Sequence, residues 1–179
     1  NGFFATYVQA VLSMTNCRII SISKNKPKGL FKSIYKNKNI KFIKMDLNDN
    51  KKFKTIMKQK YDFIFHCATY GQPKKWVNNE WATINLNINS LKFILENSVK
   101  YKSKVLFVSS ASVYKLPKKN KILVETSQLG TGSFFNETIY ATSKILAEKL
   151  CEYYREKYNI PIYVVRPAHT YGPGQDFKD

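Results

Sequence analysis

Apolar and polar positions along the chain alternate between two periods. Tyr7, Val8, Val11 and Leu12 share one face of a helical wheel, which predicts a helix over Thr6–Ser13. Short β-rich runs follow at Arg18–Ser23 and Ile40–Met45, then a helical connector over Lys51–Lys60 and a buried strand over Asp62–Cys67. A long helix is predicted over Ala82–Val99, with Leu86, Ser90, Phe93, Ile94 and Leu95 turned inward. A strand at Val105–Ser109, a second long helix at Tyr140–Tyr158 and a strand at Ile162–Arg166 complete the series. Unbroken apolar strand cores separated by helices predict an α/β fold, a doubly wound parallel sheet with helices on both faces.

A length of 179 residues fits one domain, residues 1–179, with enough chain to bury a core. The one long irregular stretch is Lys115–Glu137, and such loops are often functional. A doubly wound domain normally opens on a strand, whereas this chain opens almost on a helix and closes on Gly172-Pro173-Gly174 and a polar tail. The expectation is a domain cut at both ends. Cys17, Cys67 and Cys151 are far apart and lack metal-ligand spacing, so each is read as a reduced, small core residue and no metal is expected. Together with the absence of a signal or spanning segment, that points to the cytoplasm and away from a membrane.

The net charge of +18 raises the question of nucleic acid. Nearly all of it is lysine, and Arg18, Arg155 and Arg166 are the only arginines. Base-reading proteins favour the arginine fork, and these lysines are scattered among Asn and Ile as on a solvated surface. No nucleic-acid partner is expected. A positive field does attract small anionic ligands such as a nucleotide diphosphate.

Tyr140-Ala-Thr-Ser-Lys144 stands at a helix start, where a spacing of four puts Tyr140 and Lys144 on one face. An ammonium beside a phenol favours the phenolate, so Lys144 is expected to lower the Tyr140 pKa toward neutrality. A tyrosine so tuned takes a proton from a hydroxyl while hydride leaves for a nicotinamide. Thirty residues upstream, Val105–Tyr114 is a buried strand ending in Ser109 and Ser110. Ligands bind at such strand ends in open α/β sheets, and Ser110 can hydrogen-bond the oxygen that Tyr140 deprotonates.

With these residues in this order, the chain resembles the extended short-chain dehydrogenase/reductases, the NAD-dependent epimerase/dehydratases of nucleotide sugars. Asn1-Gly2-Phe3-Phe4-Ala5 is similar to the end of that family's Gly-rich loop, Asp46-Leu47 to its adenine-contacting pair, and Asp62–Ala68 to its Asp-x-Val-x-His-x-Ala strand. Asn87-Ile-Asn-Ser-Leu resembles a helix start written Asn-x-x-Gly-Thr, and Arg166–Pro173 resembles Arg-x-x-Asn-x-Tyr-Gly-Pro. The resemblance implies a Rossmann-type sheet that binds NADP or NAD through Gly2, Phe3, Phe4, Ser23, Lys24, Asp46, Leu47, Ala68, Thr69, Asn87, Ser109, Tyr140, Lys144 and Pro167. It also implies a nucleotide-diphosphate sugar on Ser110, Ser112, Tyr140 and His169, catalysis by Tyr140, Lys144 and Ser110, and a homodimer in the full-length form.

The departures narrow the expectation. NAD-preferring members of the family carry Asp at the end of the second strand; here stands Ser23-Lys24, with Lys26 and Lys28 close by, which suits a 2′-phosphate. The eliminating branches carry an acidic residue just before Val-Tyr, whereas this chain has Ala111-Ser112. His169 replaces Asn and Lys115 replaces Gly near the substrate. The expected activity is C4 epimerisation or 4-ketosugar reduction. The alternatives are a dehydratase or decarboxylase of the same family, or a non-catalytic NADP-sensing scaffold.

Overall fold

A computed structural model of the chain describes residues 2–26, 29–70, 78–115, 122–130 and 138–174. Helix α1 (Phe3–Leu12) leads to β1 (Ile19–Ser23), a 3₁₀ helix (Gly29–Lys36), β2 (Ile40–Lys44), α2 (Asn50–Ile56) and β3 (Phe63–His66). Next come α3 (Glu80–Ile84), a π turn (Asn85–Asn89), α4 (Ser90–Tyr101), β4 (Lys104–Val108) and a short 3₁₀ turn (Ala111–Val113). Helix α5 (Thr138–Tyr158) and β5 (Ile162–Val165) close the order. Among the described residues no helix is long and apolar enough to cross a membrane.

The predicted α/β class holds, but the predicted single sheet is divided. β1 pairs with β2, and β3, β4 and β5 form a separate sheet in that order, all parallel. No ladder joins β1 to β3, so each keeps one edge without a partner among the described residues. Ile20, Phe63 and Phe65 beside those edges stay exposed.

The two sheets nonetheless share a core. Val105 and Phe107 of β4 pack with Leu91, Ile94 and Leu95 of α4 and with Ala147 and Cys151 of α5. Met45, Phe53 and Met57 join them from the β2–α2 side. Asp49 caps α2, its carboxylate accepting from the Lys52 backbone N–H at 3.1 Å, which satisfies a donor left open by the helix start. Helix α4 stops at Lys102, whose φ of 58° is left-handed and ends the helical ladder.

Of the residues expected inward on the long helix, Leu86, Ser90, Ile94 and Leu95 are buried and Phe93 is half-buried against the core. The helix is not continuous: one π turn interrupts it at Asn85–Asn89. There the Leu86 carbonyl receives the Ser90 hydroxyl and lies 3.1 Å from His66 Nε2. His66 is fully buried, and burial pushes its imidazole down to about 3, so it is neutral and structural.

Three expectations about burial are corrected. The strand expected to be buried over Asp62–Cys67 exposes Phe63 and Phe65, because its outer edge has no strand partner among the described residues. Helix α1 buries Thr6 and Gln9, while Tyr7 and Val11 of the apolar face are exposed. Its inward contacts are polar: Gln9 Oε1 accepts from the Tyr35 hydroxyl at 2.8 Å, and Asn37 Nδ2 donates to the Ser13 carbonyl at 3.0 Å. Cys17 is exposed rather than core, because it lies in the turn entering β1, where its N–H meets Thr15 Oγ1; Cys151 is buried and Cys67 half-buried. Within the expected irregular stretch, residues 116–121 and 131–137 lie outside the described residues, and Tyr114 pairs with Leu129 in one antiparallel bridge.

Candidate active site

Helix α5 and the end of β4 bring the chemistry together. Tyr140 lies in the first turn of α5 and Lys144 one turn later, 6% and 1% exposed. Lys144 Nζ donates to the Val108 carbonyl at 2.8 Å and stands 4.7 Å from the Phe107 ring centre and 5.8 Å from that of Tyr140. β4 then releases Ser110, whose Oγ accepts from the Ser112 N–H at 3.1 Å and caps the 3₁₀ turn. Ser110 Oγ also donates to Ser112 Oγ at 3.2 Å. The Ser110 hydroxyl approaches the Tyr140 phenol from the end of β4, and Thr69, from the end of β3, adds to the same surroundings with a buried hydroxyl that makes no hydrogen bond among the described residues. Ser110, Thr69, Tyr140 and Lys144 are thus assembled from three separate segments.

The electrostatics differ from the expectation of a lowered phenol. Burial raises the Tyr140 pKa above 10, outweighing the lowering effect of Ser110 and Thr69. Burial likewise pushes Lys144 from 10.5 down to about 7, against the opposing pull of Cys67, Glu148 and Cys151. The physical reason is shared: both groups are out of water, and desolvation penalises each charged form. Near neutral pH Lys144 is therefore only partly protonated. Tyr140 stands as a neutral phenol.

The remaining expected residues line the same ends of the strands. Gly2 precedes α1 in extended conformation, with no side-chain cap and open space where a Cβ would lie. The first helical bond is Thr6 N–H to the Gly2 carbonyl, so the earlier N–H groups of α1, including those of Phe3 and Phe4, have no helical partner. Tyr7 donates its hydroxyl to the Pro173 carbonyl at 2.8 Å, and Gly172 lies against Phe3. The Tyr171–Pro173 segment is thereby held at α1. His169 is exposed beyond β5, and Pro167 accepts the Ala111 N–H at 2.9 Å. Ala68 follows β3 and is half-buried.

Asn87 sits on the π turn and donates to Ser143 Oγ at 2.8 Å, and Ser143 donates to the Tyr140 carbonyl at 2.8 Å. Three buried polar atoms near this centre, Thr69 Oγ1, Ser109 Oγ and Asn87 Oδ1, have no hydrogen-bond partner among the described residues. Such orphaned atoms, together with the open α1 terminus, fit a polar cofactor laid along the strand ends.

At the far end, a cavity of about 300 Å³ opens beyond β1 and β2, lined by Lys24, Lys44, Met45, Asp46, Asp49 and Lys52. Asp46 pairs with Lys24 at 3.0 Å and accepts from the Asn48 N–H, contacts that hold its carboxyl below the usual range although burial opposes them. Leu47 turns its side chain to the core edge, and Ser23 accepts the Met45 N–H on its carbonyl at 2.9 Å. Lys24, expected to meet a phosphate, is thus engaged by Asp46. Lys26 is exposed, and Lys28 lies outside the described residues. Sequence reading missed Lys44, Lys52 and Ser143. The position of Ser143, one residue before Lys144, was its only signal.

A family model says which proteins this arrangement goes with. The model of the NAD dependent epimerase/dehydratase family matches residues 1–179. The chain belongs to that family. Among its relatives, the bifunctional polymyxin resistance protein ArnA of Wigglesworthia glossinidia brevipalpis is 30% identical over 99% of this chain and 27% of its own length. The dTDP-D-glucose 4,6-dehydratase of Dictyostelium discoideum is 28% identical over 79% of this chain and 34% of its own length. The chain thus spans about a third or less of these relatives. The solved UDP-N-acetylglucosamine 4-epimerase of Methanobrevibacter ruminantium M1 superposes with a TM-score of 0.83 at 23% identity, covering 99% of this chain and 55% of that one. That likeness shows the Rossmann-like fold. Members of the family are NAD(P)-dependent enzymes.

Proposed function

We propose that the full-length protein is an NAD(P)-dependent nucleotide-sugar 4-epimerase or 4-ketosugar reductase. The observation that carries this reading is the placing of the buried Tyr140 phenol beside Ser110 at the end of β4, with the buried Lys144 one turn away and bonded to the Val108 carbonyl. Tyr140 exchanges a proton with the sugar C4 oxygen, and Ser110 orients that oxygen. Lys144 and Asn87 hold the nicotinamide ribose, and the open N-terminus of α1 takes the pyrophosphate. The bound dinucleotide supplies hydride transfer at C4. A non-catalytic scaffold has no need of a phenol and a serine hydroxyl placed together beside a buried lysine.

Elimination needs an acid for the leaving hydroxyl, and the turn after β4 offers Ser110, Ala111 and Ser112 but no carboxylate. The full-length protein incubated with UDP-, dTDP-, CDP- and GDP-hexoses is expected to yield a C4 epimer or, with a ketosugar, a product two hydrogens heavier. Chromatographic separation of the isobaric C4 epimers and mass spectrometry of the products check it: loss of 18 mass units reveals a dehydratase and loss of 44 a decarboxylase, and either overturns the choice of reaction while keeping the family.

For the cofactor, no carboxylate stands at Ser23 to repel a 2′-phosphate, and the adjoining cavity sets three lysines against two carboxylates. NADP(H) is expected to bind at least as tightly as NAD(H), with Ser23→Asp reversing the order. Fluorescence titration of both nucleotides decides it, and a clear preference for NAD(H) in the unmodified protein removes the 2′-phosphate assignment.

A further inference from the structure

Arg166 follows β5, and its guanidinium reaches three other segments. Nε donates to the two Glu148 oxygens at 3.0 and 3.2 Å, and Nη2 donates to Oε2 at 2.7 Å. Nη1 donates to the Tyr114 hydroxyl at 3.0 Å and to the Glu125 carbonyl at 2.8 Å, while the guanidinium carbon lies 4.9 Å from the centre of the Tyr114 ring. The Arg166 and Glu148 side chains are 20% and 7% exposed, so the pair is largely removed from water. Fork-shaped, charge-assisted contacts of this kind fix geometry more tightly than a point charge does.

Each partner adjoins the proposed proton-transfer centre. Glu148 is four residues beyond Lys144 and eight beyond Tyr140, on the same face of α5. Tyr114 closes the 3₁₀ turn that Ser110 opens, its N–H bonded to the Ala111 carbonyl at 3.1 Å. The backbone on either side of Arg166 grips the same turn: Ser109 N–H donates to Val165 at 2.8 Å and Ala111 N–H to Pro167 at 2.9 Å. One guanidinium therefore spans the strand end, the serine turn and the helix of Tyr140 and Lys144.

We propose that Arg166 and Glu148 are positioning residues that hold the Ser110 turn in register with the Tyr140–Lys144 helix and set the charge around Lys144. This rests on the acid/base reading given above. The titratable groups facing Lys144 are His66 and Cys67 from β3, and Tyr140, Glu148 and Cys151 on α5. His66 is neutral, burial pushes Cys67 and Cys151 up to about 11 and about 12, and Tyr140 is also raised. Glu148, ion-paired to Arg166, is thus the charged member of the set at neutral pH. Its carboxylate favours the Lys144 ammonium. The Arg166 guanidinium is bonded to that carboxylate, and a like charge placed there opposes the effect by Coulomb's law.

The test uses the full-length protein labelled with ¹³C-lysine, the Lys144 signal being assigned by its loss in Lys144→Met. Glu148→Gln is expected to move the Lys144 titration to lower pH and Arg166→Gln to higher pH, each with kcat reduced at least ~10-fold and cofactor affinity within ~3-fold. Opposite shifts are a signature that a purely structural pair does not give. Tyr114→Phe keeps the ring and the ion pair and is expected to lower kcat ~3- to 10-fold without changing the melting temperature. An unmoved Lys144 titration in folded Gln variants, or full activity per folded molecule in Tyr114→Phe, overturns the proposal. If both Gln variants fail to fold, Tyr114→Phe alone decides. Should Tyr140→Phe keep its activity, the acid/base reading itself fails, independently of what Arg166 does.

Discussion

Replacing Tyr140 with Phe in the full-length enzyme should lower turnover by at least ~10²-fold while leaving NAD(P) affinity nearly unchanged. The change removes one hydroxyl and keeps the ring, which is 6% exposed at the start of α5. That hydroxyl is the group that Ser110 approaches, so the loss falls on proton transfer and not on packing. Steady-state kinetics with the sugar product resolved by chromatography, together with cofactor titration, measure both halves. Turnover within a few-fold of the unmodified enzyme would remove Tyr140 from the mechanism.

Lys144→Met should have two opposite effects of comparable interest. Turnover is expected to fall by ~10² or more, because the group proposed to hold the ribose beside Tyr140 is gone. Stability at neutral pH rises instead. The folded-state pKa of Lys144 is pushed from 10.5 to about 7, so between those values the unfolded chain binds more protons than the folded one. Stability of the unmodified protein therefore climbs as pH rises from about 7 to 10.5, and the full penalty applies below 7. At about 1.4 kcal/mol per unit, that penalty is several kcal/mol, reduced by the loss of the Val108 contact. A melting temperature higher by roughly 5 °C or more at pH 7 is expected, with the advantage shrinking toward pH 10. Thermal melts of both proteins across that range provide the check. A variant that melts lower at pH 7 would mean that the buried ammonium is fully compensated.

The parts that were legible in the sequence share a local cause. The spacing of Tyr140 and Lys144 and the serines ending β4 are fixed within a few residues, and the structure brings them together as their order suggests. The strands lie within a residue or two of the expected bounds because short runs rich in β-branched and aromatic residues mark them, continuous in β3, β4 and β5 and alternating with Ser or Lys in β1 and β2. What remained hidden depends on distant partners. The π turn at Asn85–Asn89 leaves the helical period almost intact, and it is held by His66, Asn48 and Ser143 from elsewhere in the chain. Arg166 and Glu148 are eighteen residues apart across a strand and a helix, so no local pattern joins them. The exposure of Tyr7 and Val11 on α1 was equally invisible, since an apolar stripe shows that a face can be covered but not by what. The direction of the Tyr140 shift was misread because spacing reports proximity, whereas burial decides the sign.

Among the described residues, β1 and β3 each leave one row of backbone donors and acceptors without a strand partner, next to the exposed side chains of Ile20, Phe63 and Phe65. An extended segment that pairs with such a row gains backbone hydrogen bonds and covers apolar side chains in the same step.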